Sequence, residues 1–388
     1  MSPGLSLLLA LPFGLVAATT LSAQGRPPNW DAAVKAFDDL MAADRVVGGT
    51  LVLARSGTVV TRHDVGLADR ERKQPVAPGT LYHWGSITKT LTAVAILQLR
   101  DRGLLSLDDP ITRWVPELRQ VHNPFGSMDG ITLRMLLSHS SGFQDPTWSY
   151  RAGKDWEPFE PARWEQLVAM MPHQEIHFAP GSRYGYSNPA YIYVARVIEG
   201  ITGDPWQSYI YKNIWGPLGI RESYFNRTPW QLTERRSAGY TLRREEGGAE
   251  SIRDNGREFD PGVTIPNGGW NAPVADLVAW GSALAGVASE SAAGPVVSRE
   301  TLEVMWRPVV QARDHEAMGL GFFIVTQGKT RLIGHTGEQG GFRSFMYLDP
   351  TSQSVVVGVV NTTNDARPEE SDRAFRRAAE AARELLGN

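Results

Sequence analysis

The sequence of 388 residues contains no cysteine. The protein therefore has no disulfide framework, no thiol nucleophile, no thiolate ligand for a metal ion and no cysteine that could carry a lipid anchor. Lysine is scarce as well, because only 6 of the 39 basic residues are lysines. With thiol chemistry excluded, a lysine at an unusual position becomes an informative feature of this chain.

Strong charge and long hydrophobic runs are missing too. The formal net charge is −3, which gives no electrostatic reason to expect nucleic acid or an anionic membrane as a partner. The apolar run 7–18 precedes Leu21-Ser22-Ala23, which resembles a signal-peptidase site, although Arg26 is the first charged residue and a basic N-terminal region is lacking. We predict a signal peptide over 1–23, a periplasmic or secreted protein, and no integral membrane segment in the remaining chain.

The pattern of apolar residues and turns predicts the order of helices and strands. Residues 30–44 have helical spacing, residues 49–69 read as two strands, and residues 104–265 are mostly helices separated by Pro/Gly loops. Strands with short turns follow over 319–362, before an amphipathic helix at the C-terminus. The polar stretch 243–260 is rich in charge and glycine and is predicted to be a surface loop.

These elements predict one α+β domain over residues 24–388. About 365 residues follow the predicted signal peptide, more than one simple core usually holds, so two lobes are expected. The sheet lobe takes about residues 30–85 and 270–388 and contains an antiparallel sheet flanked by the N- and C-terminal helices. The inserted, mostly helical lobe takes about residues 86–269.

A lysine stands at an unfavourable position within residues 82–103, YHWGSITKTLTAVAILQLRDRG, whose apolar run predicts a helix buried on every side. Lys89 lies in the first turn of that helix, where the helix dipole and the loss of hydration both disfavour an ammonium ion. Ser86 precedes it by three residues and shares its face. If Ser86 is a nucleophile, a neutral Lys89 amine can accept its proton. The spacing alone leaves open the alternative of a capping serine beside a lysine that reaches solvent.

A second candidate segment is Tyr186-Ser187-Asn188, which follows a glycine turn at Gly181 and Gly185. Asn188 is followed by proline, a strong signal for the start of a helix, so a capping role competes with a functional one. Tyr186 on a tight turn can point into a cleft and relay a proton, provided that a nearby cation favours the phenolate.

The third candidate segment, His335-Thr336-Gly337, stands between two predicted strands and among four glycines. Glycines permit the main chain to approach a ligand closely, and N–H groups on a strand edge can stabilise a developing oxyanion. The alternative is a glycine-rich hairpin without a chemical role.

A metal site is not predicted. His173 and His177 are four residues apart, but Pro172 and the turn at 178–181 argue against one continuous helix that presents both rings. The sequence contains no HExxH motif. We therefore predict neither a metal ion nor any other cofactor.

The motifs SITK at Ser86, YSN at Tyr186 and HTG at His335, taken in order, resemble the three active-site motifs of the serine β-lactamase and penicillin-binding protein superfamily. The resemblance is greatest to its class C β-lactamase-like branch, which includes esterases and D-amino-acid peptidases. The phrases LLSHSSGF (136–143) and HTGEQGGF (335–342) agree with it, and it covers about residues 30–388.

This resemblance implies a sheet lobe packed on a helical lobe, with the active site between them. It also implies an acyl-enzyme on Ser86, with Lys89 and Tyr186 managing protons and Asn188 binding the amide side of the substrate. His335, Thr336 and Gly337 would contact substrate, and the N–H groups of Ser86 and Glu338 would form the oxyanion hole.

The substrate is predicted from one departure from the family pattern. The third motif often begins with lysine, whereas this chain has His335, which is neutral much of the time near pH 7. Since a neutral imidazole binds anions less well, we expect a small-molecule ester, amide or D-peptide as substrate. A D-amino-acid peptidase or β-lactamase, and a penicillin-binding-like sensor that acylates without turnover, are the alternatives.

Overall fold

The computed structural model describes residues 27–143, 161–287 and 295–386, so the predicted signal peptide over 1–23 lies outside the described residues. None of the helices in these ranges has both the length and the hydropathy needed to cross a bilayer. The helices are α1 (Trp30–Ala43), α2 (Thr88–Asp101), α3 (Leu133–Leu137), α4 (Trp164–Met170), α5 (Asn188–Thr202), α6 (Trp206–Ile210), α7 (Gly216–Leu218), α8 (Ile265–Gly268), α9 (Val274–Leu284), α10 (Arg299–Met305) and α11 (Pro368–Arg383).

The strands in the described ranges form three sheets. They are β1 (Gly48–Arg55), β2 (Thr58–Asp69), β3 (Gln74–Pro75), β4 (Leu81–His83), β5 (Gly239–Arg244), β6 (Glu250–Gly256), β7 (Asn271–Pro273), β8 (Val310–Arg313), β9 (Glu316–Met318), β10 (Phe323–Gln327), β11 (Thr330–Gln339), β12 (Phe342–Asp349), β13 (Ser354–Val360) and β14 (Thr362–Asn364).

The largest sheet joins the two ends of the chain. Its strands lie in the order β3-β2-β1-β13-β12-β11-β10-β9-β8, and each neighbouring pair is antiparallel. At its centre β1 pairs with β13, with Gly49 opposite Val360 and Arg55 opposite Ser354. The predicted α+β fold, an antiparallel sheet flanked by the terminal helices, is confirmed.

The central strands are apolar along their length because helices cover both faces of the sheet. On one face, Leu51 and Leu53 share a core with side chains of α1 and α11. On the other face, Val52 belongs to the larger core, and α9 crosses so closely that a Cβ on Gly281 would lie 2.6 Å from Cγ1 of Val355. Coverage of both faces explains why these strands read as continuous apolar runs rather than as alternating patterns.

Helix α2 lies inside the larger core. Every side chain from Thr88 to Leu99 is buried, as the apolar run predicts. Its polar groups are satisfied internally: Thr90 donates a hydrogen bond to the carbonyl oxygen of Ile87 and accepts one from the indole N–H of Trp280. A 3-10 turn over Gly85–Ile87 leads into the helix and places its N-terminus beside β11.

The prediction of a surface loop over 243–260 is wrong. β5 and β6 form a hairpin there, with Tyr240 opposite Asp254 and Arg244 opposite Glu250, and β14 pairs with β5 in parallel. The side chains of β6 are exposed or half-buried, so main-chain pairing holds this strand and no apolar alternation marks it in the sequence. The lobe boundaries near residues 85 and 270 stay a prediction.

The main chain of β11 packs directly against the segment that precedes α2. A Cβ on Gly337 would lie 2.0 Å from the carbonyl oxygen of Trp84 and 2.7 Å from Oγ of Ser344. Neither atom belongs to a long side chain that could move away, so only glycine fits at this crossing.

We predict that Gly337→Ala lowers the free energy of unfolding by about 1–3 kcal/mol, the usual cost of overpacking a filled site. Urea unfolding followed by tryptophan fluorescence measures the loss. The matched control is Gly200→Ala, since Gly200 is exposed near the end of α5 and has nothing within 4 Å of its added Cβ. An unchanged urea midpoint for Gly337→Ala would contradict the close packing of β11.

Candidate active site

The side chain of Ser86 lies where the first two motifs meet. It belongs to the turn that begins α2, and a positive φ of 53° at Gly85 makes this turn possible. Its Oγ lies 2.9 Å from Nζ of Lys89 and accepts a 2.7 Å hydrogen bond from the phenol of Tyr186. The structure thus brings a serine, a lysine and a tyrosine into direct contact, although Tyr186 is 100 residues away in the chain.

Lys89 is completely buried, so the alternative of a lysine that reaches solvent is wrong. Its Nζ donates hydrogen bonds to Oδ1 of Asn188 at 2.6 Å and to the carbonyl oxygen of Asn267 at 2.8 Å. Both oxygens can only accept hydrogen bonds, so they engage two N–H groups of Lys89. The remaining tetrahedral position on Nζ points toward Oγ of Ser86. A neutral amine has its lone pair there and can accept the serine proton, whereas an ammonium ion donates to Oγ instead.

Asn188 contacts the lysine, and the neighbouring serine caps the helix. The first turn of α5 is capped by Ser187, whose Oγ accepts from the N–H of Ala190 at 3.2 Å. The prediction that Asn188 could serve as a cap is therefore wrong, and its amide oxygen is used on Lys89.

Two residues at this site have no counterpart among the predicted ones. The main-chain carbonyl oxygen of Asn267, on α8, accepts a hydrogen bond from Lys89. Every residue has such a carbonyl group, so the residue type at position 267 gives no sign of this contact. The ring of His139 lies against that of Tyr186, with centroids 4.4 Å apart and planes tilted by 33°, and its Nδ1 accepts a hydrogen bond from the N–H of Ser187 at 3.1 Å. The phrase LLSHSSGF at 136–143 was a signal for this histidine, but it suggested no particular contact.

His139 is a neutral support for the tyrosine. Burial, together with the nearby charge of Lys89, lowers its pKa well below the ordinary value. Because Nδ1 accepts a hydrogen bond, the proton of the neutral ring is on Nε2, which has no partner among the described residues. His139 therefore holds Tyr186 by ring contact and adds no second positive charge beside Lys89.

The third motif lies on a strand edge that faces Ser86. β10 pairs with β11 only from Thr330 to Gly334, so the main chain of 335–339 lacks that neighbour within the described part of the chain. A Cβ on Gly85 would lie 2.9 Å from the backbone nitrogen of Glu338. The two N–H groups predicted to form the oxyanion hole, those of Ser86 and Glu338, are therefore carried by adjoining segments.

His335 is buried and lies behind this edge. Burial, and to a lesser degree the charge of Lys89, lowers its pKa to about 3. Its Nδ1–H donates to the carbonyl oxygen of Thr336 at 2.5 Å, and Nε2 has no partner among the described residues. The imidazole is thus neutral over the whole physiological range, so the first position of the third motif holds no cation here.

A cavity of about 1060 Å³ opens above Ser86 and extends along the sheet toward α11. Of the predicted site residues, it is lined by Ser86, Tyr186, Asn188, His335, Thr336, Gly337 and Glu338. Lys89 lies beneath it. The volume suits a small molecule, and the serine oxygen is within reach of one.

Comparisons with known proteins agree with this geometry. The model of the Beta-lactamase family matches residues 33–381. Penicillin-binding protein 4* of Bacillus subtilis is 26% identical over 345 residues, which are 86% of this chain and 71% of that protein. Esterase EstB of Burkholderia gladioli is 34% identical over 201 residues, about half of each chain (49% and 50%).

Solved structures show the same fold. The octameric penicillin-binding protein homologue from Pyrococcus abyssi superposes with a TM-score of 0.73 at 26% identity and covers 92% of this chain and 77% of that one. A class C beta-lactamase from Rhodobacter sphaeroides gives a TM-score of 0.70 at 20% identity, over 90% of this chain and 99% of that one.

If Lys89 removes the serine proton, Lys89→Met should slow the labelling of Ser86 by a fluorophosphonate probe by about 10²–10⁴-fold, the usual contribution of a general base. Methionine keeps the length and the packing of the side chain but cannot accept a proton. The matched control is Lys212→Met, because Lys212 is exposed and paired with Asp204. Equal labelling rates in both variants would rule out Lys89 as the base.

The neutral state of His335 predicts how stability depends on pH. Its pKa falls from an ordinary value of 6.5 to about 3 on folding, so between these values the unfolded chain binds a proton that the folded chain does not. This contribution to stability is complete above pH 6.5 and is lost as the pH falls toward 3.

His335→Asn should therefore reduce the slope of unfolding free energy against pH, between pH 6.5 and 5, by about 1 kcal/mol per pH unit on average, because the unfolded histidine is only half protonated at pH 6.5. Urea unfolding at several pH values measures the slope, which does not depend on any constant loss of stability in the variant. The exposed residue His315 provides the control, His315→Asn. A slope that is the same in both variants would show that His335 takes up its proton at an ordinary pH.

Proposed function

Because this chain belongs to the Beta-lactamase family, we propose that it is an exported serine hydrolase that cleaves small esters through an acyl-enzyme on Ser86. The resemblance inferred from the three motifs is confirmed by the family match and by the solved structures. The chain is an enzyme of the serine hydrolase superfamily. The acyl-enzyme, the ester substrate and export are the parts that we propose.

The observation that carries the proposal is the double contact at Ser86. Oγ lies 2.9 Å from a buried amine and 2.7 Å from a phenol, so one group can take its proton while the other passes a proton onward. Two N–H groups on adjoining segments support the proposal, because a tetrahedral intermediate needs donors at its oxygen.

In the proposed acylation, Oγ of Ser86 bonds to the carbonyl carbon while its proton moves to the amine of Lys89. The N–H groups of Ser86 and Glu338 stabilise the oxyanion. When the bond to the leaving oxygen breaks, Tyr186 gives that oxygen a proton and recovers one from Lys89. Deacylation repeats these steps with water as the nucleophile, which releases the acid and restores the serine hydroxyl.

Two observations favour esters over anionic β-lactams. His335 is neutral at physiological pH, because its pKa is lowered to about 3, so it offers no counter-ion for the carboxylate of a β-lactam. Esterase EstB is also 34% identical over about half of this chain, whereas penicillin-binding protein 4* is 26% identical over 86% of it. Export rests on the apolar residues 7–18 and the small residues that follow them.

Ser86→Ala should lower the initial rate of hydrolysis of 4-nitrophenyl butyrate by about 10³-fold or more, because the nucleophile is lost. The absorbance of released nitrophenolate measures it. The control is Ser182→Ala, which removes an exposed hydroxyl from the glycine turn that precedes Tyr186. It should keep the parent rate.

The same assay with a chromogenic cephalosporin and with a D-alanyl ester distinguishes an esterase from a β-lactamase, a D-amino-acid peptidase and a sensor that acylates without turnover. We expect the neutral ester to be turned over faster than the cephalosporin. A single burst of one equivalent without further turnover would favour the sensor, and equal rates for Ser86→Ala and the parent protein would refute the acyl-enzyme.

A further inference from the structure

A second cavity, of about 400 Å³, lies beside the first, and Glu338 lines both. The arginines and aromatic rings around it have no part in the proposed reaction at Ser86. We propose that this second cavity is a subsite for the acyl part of the substrate and that it selects acyl groups ending in a carboxylate. The proposal rests on the proposed function, since it assumes an acyl-enzyme on Ser86.

The walls of this cavity are fixed by two hairpins in main-chain contact. One is the turn between β11 and β12, and the other is the β5–β6 hairpin. A Cβ on Gly239 would lie 2.1 Å from the carbonyl oxygen of Gly340, and a Cβ on Gly341 would lie 2.6 Å from the nitrogen of Tyr240. Because the hairpins meet at glycines, the cavity has a defined shape and begins directly after Glu338.

The position of Tyr186, the proposed general acid, determines which part of the substrate lies in each cavity. In the proposed reaction Tyr186 protonates the leaving oxygen, so the leaving group must lie in the first cavity, which Tyr186 lines. The second cavity is lined by neither Tyr186 nor His335. With the carbonyl oxygen held at Ser86 and Glu338, the acyl chain therefore runs in the opposite direction, past Glu338.

The charges around the second cavity favour an anion. Its lining includes three arginines and two glutamates, an excess of one positive charge: Arg236, Arg243, Arg257, Glu258 and Glu338. Glu338 is already paired with Nε of Arg343 at 3.0 Å. Arg243 and Arg257 have carboxylate oxygens at 3.8 Å, from Asp365 and Asp69, and Nη1 of Arg257 donates to the carbonyl oxygen of Thr233 at 3.2 Å. Neither guanidinium makes a close ion pair in the described part of the chain, so each can still bind a carboxylate.

Arg236 is the strongest sign of a ligand. Its side chain is 2% exposed, and no carboxylate in the described part of the chain lies within ion-pair distance of it. Nε donates to the carbonyl oxygen of Arg257 at 2.9 Å, whereas Nη1 has no hydrogen-bond partner among the described residues. Glu258 acts on this guanidinium only from beyond ion-pair distance, and burial lowers the pKa of Arg236 despite it. A buried guanidinium without a direct counter-ion costs free energy, and an anionic ligand in the cavity would supply one.

Apolar groups complete the fit to an acyl chain. Phe259 and Phe342 both line the cavity, and the guanidinium of Arg236 lies 5.1 Å from the ring centroid of Phe342. Methylene groups between the ester carbonyl and a terminal carboxylate would pack on these rings, while the carboxylate meets the arginines. A monoester of a short dicarboxylic acid has this combination of groups.

The test compares two substrates with six-carbon acyl chains, 4-nitrophenyl hydrogen adipate and 4-nitrophenyl hexanoate. The measured quantity is the ratio of their kcat/KM values. We expect Arg257→Met and Arg243→Met each to lower this ratio by about 10-fold, the usual effect of losing one charge-assisted hydrogen bond. The control is Arg244→Met, because Arg244 follows Arg243 on β5, is exposed and does not line the cavity. An unchanged ratio in both cavity variants would overturn the proposal.

A binding measurement separates this proposal from the proposed function. Titration calorimetry with Ser86→Ala should show tighter binding of the adipate monoester than of the hexanoate, and Ser86→Ala/Arg257→Met should lose the difference. If the parent protein hydrolysed neither ester but this difference were present, the proposed function would fail and the anion subsite would stand. Equal binding of the two esters to Ser86→Ala would overturn the subsite whatever the parent protein hydrolyses.

Discussion

The site depends on a buried amine that must be matched by oxygen atoms. Nζ of Lys89 lies within 2.9 Å of one oxygen each from Ser86, Asn188 and Asn267. An unmatched amine at this depth would cost several kcal/mol, so the start of α2, the start of α5 and the short helix α8 must come together for the fold to be stable. The packing that provides hydrogen-bond partners for the amine of Lys89 also places the serine oxygen beside it. The same packing therefore supports both the stability of the fold and the proposed chemistry.

Close main-chain packing is the second constraint, and it explains where the glycines stand. β11 crosses the segment before α2 at a distance that excludes a side chain on Gly337, and Gly85 meets the backbone of Glu338 in the same way. Side chains at these two positions would push β11 away from Ser86. A strand held by glycines keeps its N–H groups at the distance that the proposed oxyanion hole needs.

The parts of the site that were predicted from the sequence have local causes. The spacing of Ser86 and Lys89 within one helical turn follows from helix geometry, and the resemblance located Tyr186 and His335. Asn267 was missed because it acts through its carbonyl group, and the β5–β6 hairpin was predicted as a loop because its polar side chains carry no strand pattern. The Asn267 contact and the β5–β6 hairpin both depend on segments that are distant in the chain, and the local sequence does not indicate such contacts. The signal peptide lies outside the described residues.

The electrostatics beside Ser86 depend on the buried lysine. Burial lowers the pKa of both His139 and His335, and Lys89 lowers it further whenever the amine carries a proton, because it then repels a second cation nearby. The chain therefore uses neutral rings around its proposed base, so that the amine and the phenol are the groups that exchange protons. Positive charge that could attract an anionic substrate stands instead beyond Glu338, on the arginines of the second cavity, which Lys89 does not line. This separation allows the proposed base to remain in a neutral surrounding while an anion is recognised in the neighbouring cavity.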